Sequence, residues 1–128
     1  QLEQWEDMIT ARQWNAEYLT KGLTSYAGVL QLPENRPNTE HAFMMYPIVM
    51  QGADKQGICL YLEEHGIETR EMLPLTNQPV YAMWCNESDY PVAKWINRCG
   101  FYIGCHQDLH RADLDYIIDI FKGYFDGQ

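Results

Sequence analysis

A nearly continuous apolar run from His41 to Met50 restricts the possible folds of this chain more than any other feature. The run is far shorter than the roughly 20 residues that a membrane-spanning helix needs. Its length and its apolar character are typical of a β-strand that is buried on both faces. Pro47 interrupts the run and has no N–H to donate to a neighbouring strand, so it predicts a place at the edge of a sheet or at a bulge.

Apolar residues recur at helical spacing on both sides of this run. A stripe over residues 2 to 26 predicts a first helix, and its length suggests that it bridges to a neighbouring domain. Asp54 can cap a helix over residues 55 to 65, and Gly66 can end it. The remaining expected elements are strands at 67–72 and 101–104, a loop at 73–88, and helices at 91–99 and 109–125.

This alternation of helices and strands predicts an α/β fold in the form of a two-layer α+β domain. We expect a small, largely antiparallel sheet of about three or four strands, with about four helices packed on it. The chain has 128 residues, of which 46% are hydrophobic, so it suits one domain with its own core. Because it begins with Gln1 and not with Met, we expect it to be part of something longer, or to be processed or engineered.

Charge and cysteine content restrict the partners and the compartment. The formal net charge of the chain is −9. A protein that binds nucleic acid needs clustered Lys and Arg to contact the phosphates, which this composition does not favour. No apolar run is long enough for a membrane span. We therefore expect neither nucleic acid nor a membrane as a partner. We interpret the four cysteines as reduced thiols of a cytoplasmic protein, since a domain of this size has a core without disulfides.

The densest set of possible metal ligands comprises Cys105, His106 and His110. The strand that precedes them places His106 in a turn, and no Glu follows it as in the zinc proteases. We therefore favour a strand-to-helix turn, with Asp108 or His110 near the N-cap of the last helix. A metal site remains as the weaker alternative.

The sequence lacks the patterns of an enzyme that works alone. It contains neither a nucleophile elbow nor a Gly-rich phosphate loop. Its four lysines fall on predicted helices, where we interpret them as solvated and unsuited to a Schiff base with pyridoxal phosphate (PLP): Lys21, Lys55, Lys94 and Lys122. We therefore expect no catalytic, cofactor-binding or metal-ligating residue in this chain.

The loop that follows Arg70 combines side chains suited to a phosphorylated sugar. Arg70 ends a predicted strand, and Asn77, Gln78 and Tyr81 follow it. Arginine makes charge-assisted hydrogen bonds to phosphate, and amide and hydroxyl groups can bind sugar hydroxyls. The same chemistry equally allows that Arg70 pairs with a local carboxylate and that the loop only packs.

Six short motifs, in order, resemble the C-terminal domain of the PLP-dependent sugar aminotransferases of the DegT/StrS type, which aminate keto-sugars attached to nucleotides. The resemblance covers nearly the whole chain. The matching segments are Arg12 to Leu23, His41 to Ile48, the G-I-x-T-R turn at Gly66 to Arg70, Pro74-Leu75 with Gln78-Pro79, Pro91 to Ala93, and Phe101 to Asp113. Two positions depart from the pattern. Thr76 stands where many members carry His, and His110 replaces the Thr that usually caps the last helix.

The resemblance implies the small domain of a type I PLP-transferase. The Schiff-base lysine, the acid that faces the pyridine nitrogen and the phosphate cup would lie in a large N-terminal domain. PLP is therefore expected in the full-length parent and not on this chain. The loop from residue 69 to 81 would face the cleft, where four side chains would orient the nucleotide-sugar and neutralise its charge: Arg70, Asn77, Gln78 and Tyr81.

The same resemblance implies partners for the chain. The full-length parent would be a homodimer, and this chain would dock on its own N-terminal PLP domain through an exposed apolar patch that includes Trp5 and Trp14. The alternative is a free-standing binding or regulatory module that keeps this fold without catalysis.

Overall fold

The computed structural model describes residues 4–52 and 54–127. These residues form four α-helices and four β-strands, joined by short 3-10 turns. In chain order the elements are α1 (Trp5–Leu23), β1 (Leu30–Gln31), β2 (Met45–Met50), α2 (Lys55–Glu64), β3 (Thr69–Glu71), α3 (Pro91–Cys99), β4 (Gly100–Gly104) and α4 (Arg111–Asp126). The 3-10 turns lie at Thr24–Tyr26, Leu75–Asn77 and Glu87–Asp89.

The four strands form one sheet in the order β1-β2-β4-β3, and every neighbouring pair is antiparallel. Tyr46 lies opposite Ile103, and Ile48 lies opposite Phe101. Side chains alternate between the faces of a strand, so these four residues share one face, and all four are fully buried. The predicted two-layer fold with a small antiparallel sheet is therefore confirmed.

Three helices cover the buried face of the sheet. α1, α2 and α4 each contribute fully buried side chains to the cluster that includes the sheet residues, whereas α3 contributes none. α1 and α4 approach closely at Gly22, where an added Cβ would lie 2.3 Å from Ile118 Cδ1. Gly22, which weakens a helix by propensity alone, thus allows the two helices to pack.

The central apolar run differs from its prediction in length and in position. β2 begins at Met45 and not at His41, because Phe43 has a φ of 44° and its N–H donates to His41 Nδ1 at 2.8 Å. β2 also lies inside the sheet, and the edge position predicted from Pro47 is wrong. However, β1 pairs only with Val49 and Met50, so β4 is the one strand that pairs with β2 at Pro47.

Several other element boundaries shift by a few residues. The first helix ends at Leu23 instead of residue 26, and its predicted start at residue 2 lies outside the described residues. β3 occupies three residues of the predicted strand at 67–72, and β1 is an additional strand that the hydrophobic pattern does not indicate.

The predicted caps of α2 are present. The Asp54 carboxylate accepts a hydrogen bond from the Gln56 N–H at 3.0 Å. Gly66 has a φ of +77°, and the following N–H, of Ile67, donates to the Leu62 carbonyl at 2.9 Å. The Gly66 N–H also donates to the Glu63 carbonyl at 3.0 Å, and this bond and that of Ile67 form the Schellman arrangement that ends the helix and directs the chain into β3.

Candidate functional site

The second face of the sheet carries the polar residues of the candidate site. Arg70, Tyr102 and Pro47 lie opposite one another on β3, β4 and β2. Their register places them on the face that α1, α2 and α4 do not cover. α3 contacts this part of the sheet through β2 and β4, and the connection between β3 and α3 runs beside it.

Arg70 lines a cavity of about 620 Å³ at the ends of β3 and β4. Its guanidinium lies 2.5 Å from Glu68 Oε1, and both side chains are well exposed. This local ion pair is the packing alternative that the sequence left open. An exposed pair contributes little free energy, about 0–1 kcal/mol, so Arg70 can exchange Glu68 for an anionic ligand at small cost.

The wall of this cavity combines apolar surface with a few polar side chains. Tyr102, His106, Asp113 and Tyr116 contribute the polar groups besides Glu68 and Arg70. The Tyr116 hydroxyl donates to the His65 carbonyl at 2.9 Å and is therefore held in place. A small number of polar groups on an apolar wall is typical of sites that orient a small molecule.

The other three predicted contacts lie in the connection between β3 and α3, away from this cavity. Asn77 ends a 3-10 turn, and its amide donates to Asn97 Oδ1 on α3 at 3.4 Å. The Gln78 carbonyl accepts from the Tyr81 N–H at 2.9 Å in the following turn. Of the four predicted residues only Arg70 lines this cavity, so the structure does not gather the four around it.

The connection between β3 and α3, residues 72–90, carries the most exposed apolar side chains of the described chain. Met83 and Trp84 are each 79% exposed. Leu73, Leu75 and Val80 are also largely exposed. The exposed apolar side chains of the described chain are thus concentrated on this connection.

The tryptophans of the first helix are less exposed than this connection. Trp5 is about half exposed, and so is Trp14. The Trp14 ring stacks on Tyr18 with 5.3 Å between ring centroids. α1 therefore presents some apolar surface, but the larger exposed apolar surface lies on residues 72–90.

Sequence reasoning did not assign a role to Arg12 and Asn15, which fix the turn after β4. Asn15 is almost fully buried, and its amide donates to the His106 carbonyl at 2.7 Å. Arg12 Nε donates to Gln107 Oε1 at 2.9 Å. These bonds hold one wall of the Arg70 cavity, and the R-x-x-N spacing on α1 was the signal that could have indicated them.

Cys105, His106 and His110 do not converge. Cys105 is buried, its thiol donates to the Arg12 carbonyl at 3.5 Å, and burial raises the pKa of the thiol to about 11. His110 is the N-cap of α4, as one sequence interpretation predicted, and its N–H donates to the Asp113 carboxylate at 2.8 Å. Within residues 4–52 and 54–127, no three His, Cys, Asp or Glu side chains are arranged to hold a metal ion.

The interpretation of every lysine as solvated is wrong for Lys55. Its side chain is only 12% exposed, and its ammonium group lies 3.2 Å from Glu71 Oε1. It also donates to the Asn97 carbonyl at 3.3 Å, which joins α2 to the end of α3. An amine held by a carboxylate and a carbonyl in this way is not available for a Schiff base, so the surroundings of Lys55 do not fit PLP.

Comparisons with known proteins agree with this architecture. The model of the DegT/DnrJ/EryC1/StrS aminotransferase family matches residues 1–122. The lipopolysaccharide biosynthesis protein RfbH of Salmonella typhimurium is 29% identical over an alignment of 135 positions, and the alignment covers 98% of this chain and 30% of RfbH.

Solved structures of whole enzymes contain the same fold. A DegT DnrJ EryC1 StrS aminotransferase from Brucella abortus superimposes with a TM-score of 0.82 at 25% identity, covering 96% of this chain and 32% of that one. Helicobacter pylori PseC, an aminotransferase involved in the biosynthesis of pseudoaminic acid, superimposes with a TM-score of 0.84 at 17% identity, covering 100% and 35%. The chain therefore spans about a third of the length of the proteins it matches.

Proposed function

Because this chain belongs to the DegT/DnrJ/EryC1/StrS aminotransferase family, we propose that it is the C-terminal small domain of a longer PLP-dependent aminotransferase that acts on a nucleotide-linked keto-sugar. The observation that carries this proposal is a family match over residues 1–122 in a chain that covers only 30% of its relative RfbH. The name of that relative favours a role in lipopolysaccharide or other surface-glycan biosynthesis.

The division of labour follows from what the lysines of this chain contact. PLP supplies the electron sink for amino transfer, and it requires a lysine that is free to form an imine. Lys55 is bound by Glu71 and the Asn97 carbonyl, and Lys122 lies near Asp119. Because these two lysines are engaged and the chain covers only 30% of RfbH, we assign the PLP lysine to an N-terminal domain and the role of a wall beside the substrate to this chain.

Arg70 is the substrate contact best supported by the structure. Arg70 lines the cavity at the ends of β3 and β4, and its present partner, Glu68, is exposed and easily replaced. A diphosphate would accept charge-assisted hydrogen bonds from the guanidinium, and it carries more negative charge than the single carboxylate of Glu68. Asn77, Gln78 and Tyr81 would bind hydroxyl groups once residues 72–90 are held against the rest of the enzyme.

Residues 72–90 are the surface through which this domain would contact its N-terminal PLP domain. Met83 and Trp84 are each 79% exposed, and burying two such side chains stabilises an interface by several kcal/mol, at about 1.5–3 kcal/mol each. Trp5 and Trp14 on α1 would extend this contact. We place the full-length protein in the cytoplasm as a homodimer; in the described part of the chain no helix is long and apolar enough to cross a membrane.

The test uses the complete reading frame that contains these residues. We expect an upstream domain with a PLP lysine, and amino transfer from an amino acid to a nucleotide keto-sugar by the purified protein. Arg70→Gln should raise KM about ten-fold and change kcat little, since it removes a binding contact. Arg36→Gln, on the exposed turn before β2, is the matched control and should change neither. A reading frame that starts just before Gln1 would instead support the free-standing binding module.

A further inference from the structure

A second cleft, which shares no lining residue with the cavity that Arg70 lines, lies between the start of α2 and the helix α3. It encloses about 690 Å³ and is lined by Lys55, Gln56, Lys94, Trp95 and Arg98 together with the carboxylates of Asp54 and Glu71. We call it the α2–α3 cleft. Its volume lies within the range of about 300–1,000 Å³ that small-molecule sites occupy.

The positive charges of this cleft are unusual for so acidic a chain. The formal net charge is −9, yet three of the nine Lys and Arg residues line the α2–α3 cleft. Lys94 and Arg98 are one helical turn apart on α3, where two like charges repel by about 0.2–0.5 kcal/mol. Among the described residues neither forms a salt bridge, although the chain has 18 Asp and Glu.

The third cation of the cleft is already neutralised and fixes its floor. Lys55 contacts Glu71 and the Asn97 carbonyl, and it is almost buried. The ammonium of Lys94 and the guanidinium of Arg98 are therefore the groups left for a ligand. The N-terminus of α2 adds no free positive charge to the cleft, because the Asp54 carboxylate already accepts the Gln56 N–H there.

Trp95 adds a flat apolar surface beside these two cations. Trp95 lies on the same side of α3 as Pro91, Lys94 and Arg98, because these positions are three or four residues apart. It is half-buried, so part of its indole faces the cleft. An aromatic ring next to two cations suits a flat group joined to a phosphate, because bases stack on aromatic side chains and phosphate pairs with Lys and Arg.

We propose that the α2–α3 cleft binds a phosphate-bearing small molecule, with Lys94 and Arg98 holding the phosphate and Trp95 stacking on a flat ring such as a nucleobase. This proposal does not depend on the assignment of the chain as an aminotransferase domain, because it uses only the charges and the shape of the cleft. It is also separate from the Arg70 cavity, with which the cleft shares no lining residue.

The experiment follows the ¹⁵N–¹H spectrum of the 128-residue chain during titration with uridine diphosphate, inorganic phosphate and uridine. Uridine diphosphate should shift the amides of residues 94–98 and 55–56 and saturate, phosphate should shift the same amides more weakly, and uridine should shift none. Added KCl should weaken both interactions. Because each cation makes one charge-assisted contact, Lys94→Gln and Arg98→Gln should each raise the Kd for uridine diphosphate about ten-fold.

Two further variants complete the design. Trp95→Leu should weaken the binding of uridine diphosphate and leave the binding of phosphate unchanged. Lys122→Gln, on the exposed face of α4, should change the affinity for neither ligand. The proposal is overturned if neither phosphate nor uridine diphosphate shifts these amides, which is the result expected if the cations serve an acidic surface of another domain. Binding that persists equally in Lys94→Gln and Arg98→Gln, or that uridine reproduces, also overturns it.

Discussion

Replacing Gly22 with alanine tests the packing of α1 on α4 most sharply. The added Cβ would lie 2.3, 2.8 and 3.2 Å from the Cδ1, Cγ1 and Cγ2 atoms of Ile118. Ile118 is a buried, β-branched residue on a helix, where one χ1 rotamer dominates, so its side chain cannot simply rotate away. The helices must therefore separate, or Ile118 must adopt a strained rotamer.

Two opposing free energies decide the sign of this substitution. Inserting a methyl group into a packed core costs about 1–3 kcal/mol. Alanine is favoured over glycine inside a helix by about 1 kcal/mol. We expect the crowding to prevail, so that Gly22→Ala lowers the free energy of unfolding by about 1–2 kcal/mol.

Urea unfolding followed by far-UV circular dichroism measures this change. In an Ile118→Ala background the conflicting atoms are gone, and Gly22→Ala should then stabilise the fold by about 1 kcal/mol. Gly28→Ala is the matched control, because its Cβ would meet nothing within 4 Å, and it should be neutral or slightly stabilising. The reasoning is refuted if Gly22→Ala alone raises the free energy of unfolding, or if its effect is the same in both backgrounds.

Three further outcomes are expected. Asn15→Ala should lower the free energy of unfolding by about 1–3 kcal/mol, because it leaves the His106 carbonyl without its partner; an unchanged urea midpoint would contradict this. Gly66→Ala should cost about 1 kcal/mol in the same assay, because φ is +77°, and Gly66→Asn should cost less, since asparagine tolerates this conformation. Burial raises the pKa of the Cys105 thiol from 9.0 to about 11 and that of the Tyr46 phenol from 10.0 to about 12, so the fold favours both neutral forms. Unfolding titrations under reducing conditions should therefore show the free energy of unfolding falling as the pH rises above 9.0, and Cys105→Ala should reduce that fall; a stability that rises over this range would count against the buried placement.

Local signals in the sequence predicted those parts of the fold that local chemistry decides. Asp54 and Gly66 bound α2 as expected, because a cap needs only a side-chain acceptor or a left-handed glycine at the right position. His110 is the N-cap of α4, a position that also depends on local capping chemistry. The order of the larger elements was also readable, since each has its own hydrophobic period.

Features that depend on distant partners were not predictable in the same way. Phe43 is apolar and fits a strand pattern, but its positive φ keeps it out of the strand, which starts only at Met45. Hydrophobic periodicity carries no information about φ. Pro47 correctly indicates missing pairing on one side, yet the two-residue β1 places it in an interior strand. From the sequence alone Lys55 is expected to be a solvated residue of α2. In the fold, Glu71 and the end of α3 lie against it and cover its side chain.

The candidate site was predicted in part for the same reason. Arg70 lines a cavity, and its predicted role as a substrate contact stays a prediction; its pairing with Glu68 and the cavity beside it depend on the strand register, which the sequence does not show. Whether Asn77, Gln78 and Tyr81 contact the substrate stays a prediction, because none of the three lines the Arg70 cavity.

The central claim is that the lysine which holds PLP lies outside these 128 residues. The most direct measurement is borohydride reduction of the full-length protein with bound PLP, followed by mass spectrometry of its peptides. The account predicts that the modified lysine maps to the N-terminal part of the protein. Stoichiometric modification of Lys21, Lys55, Lys94 or Lys122 would contradict it.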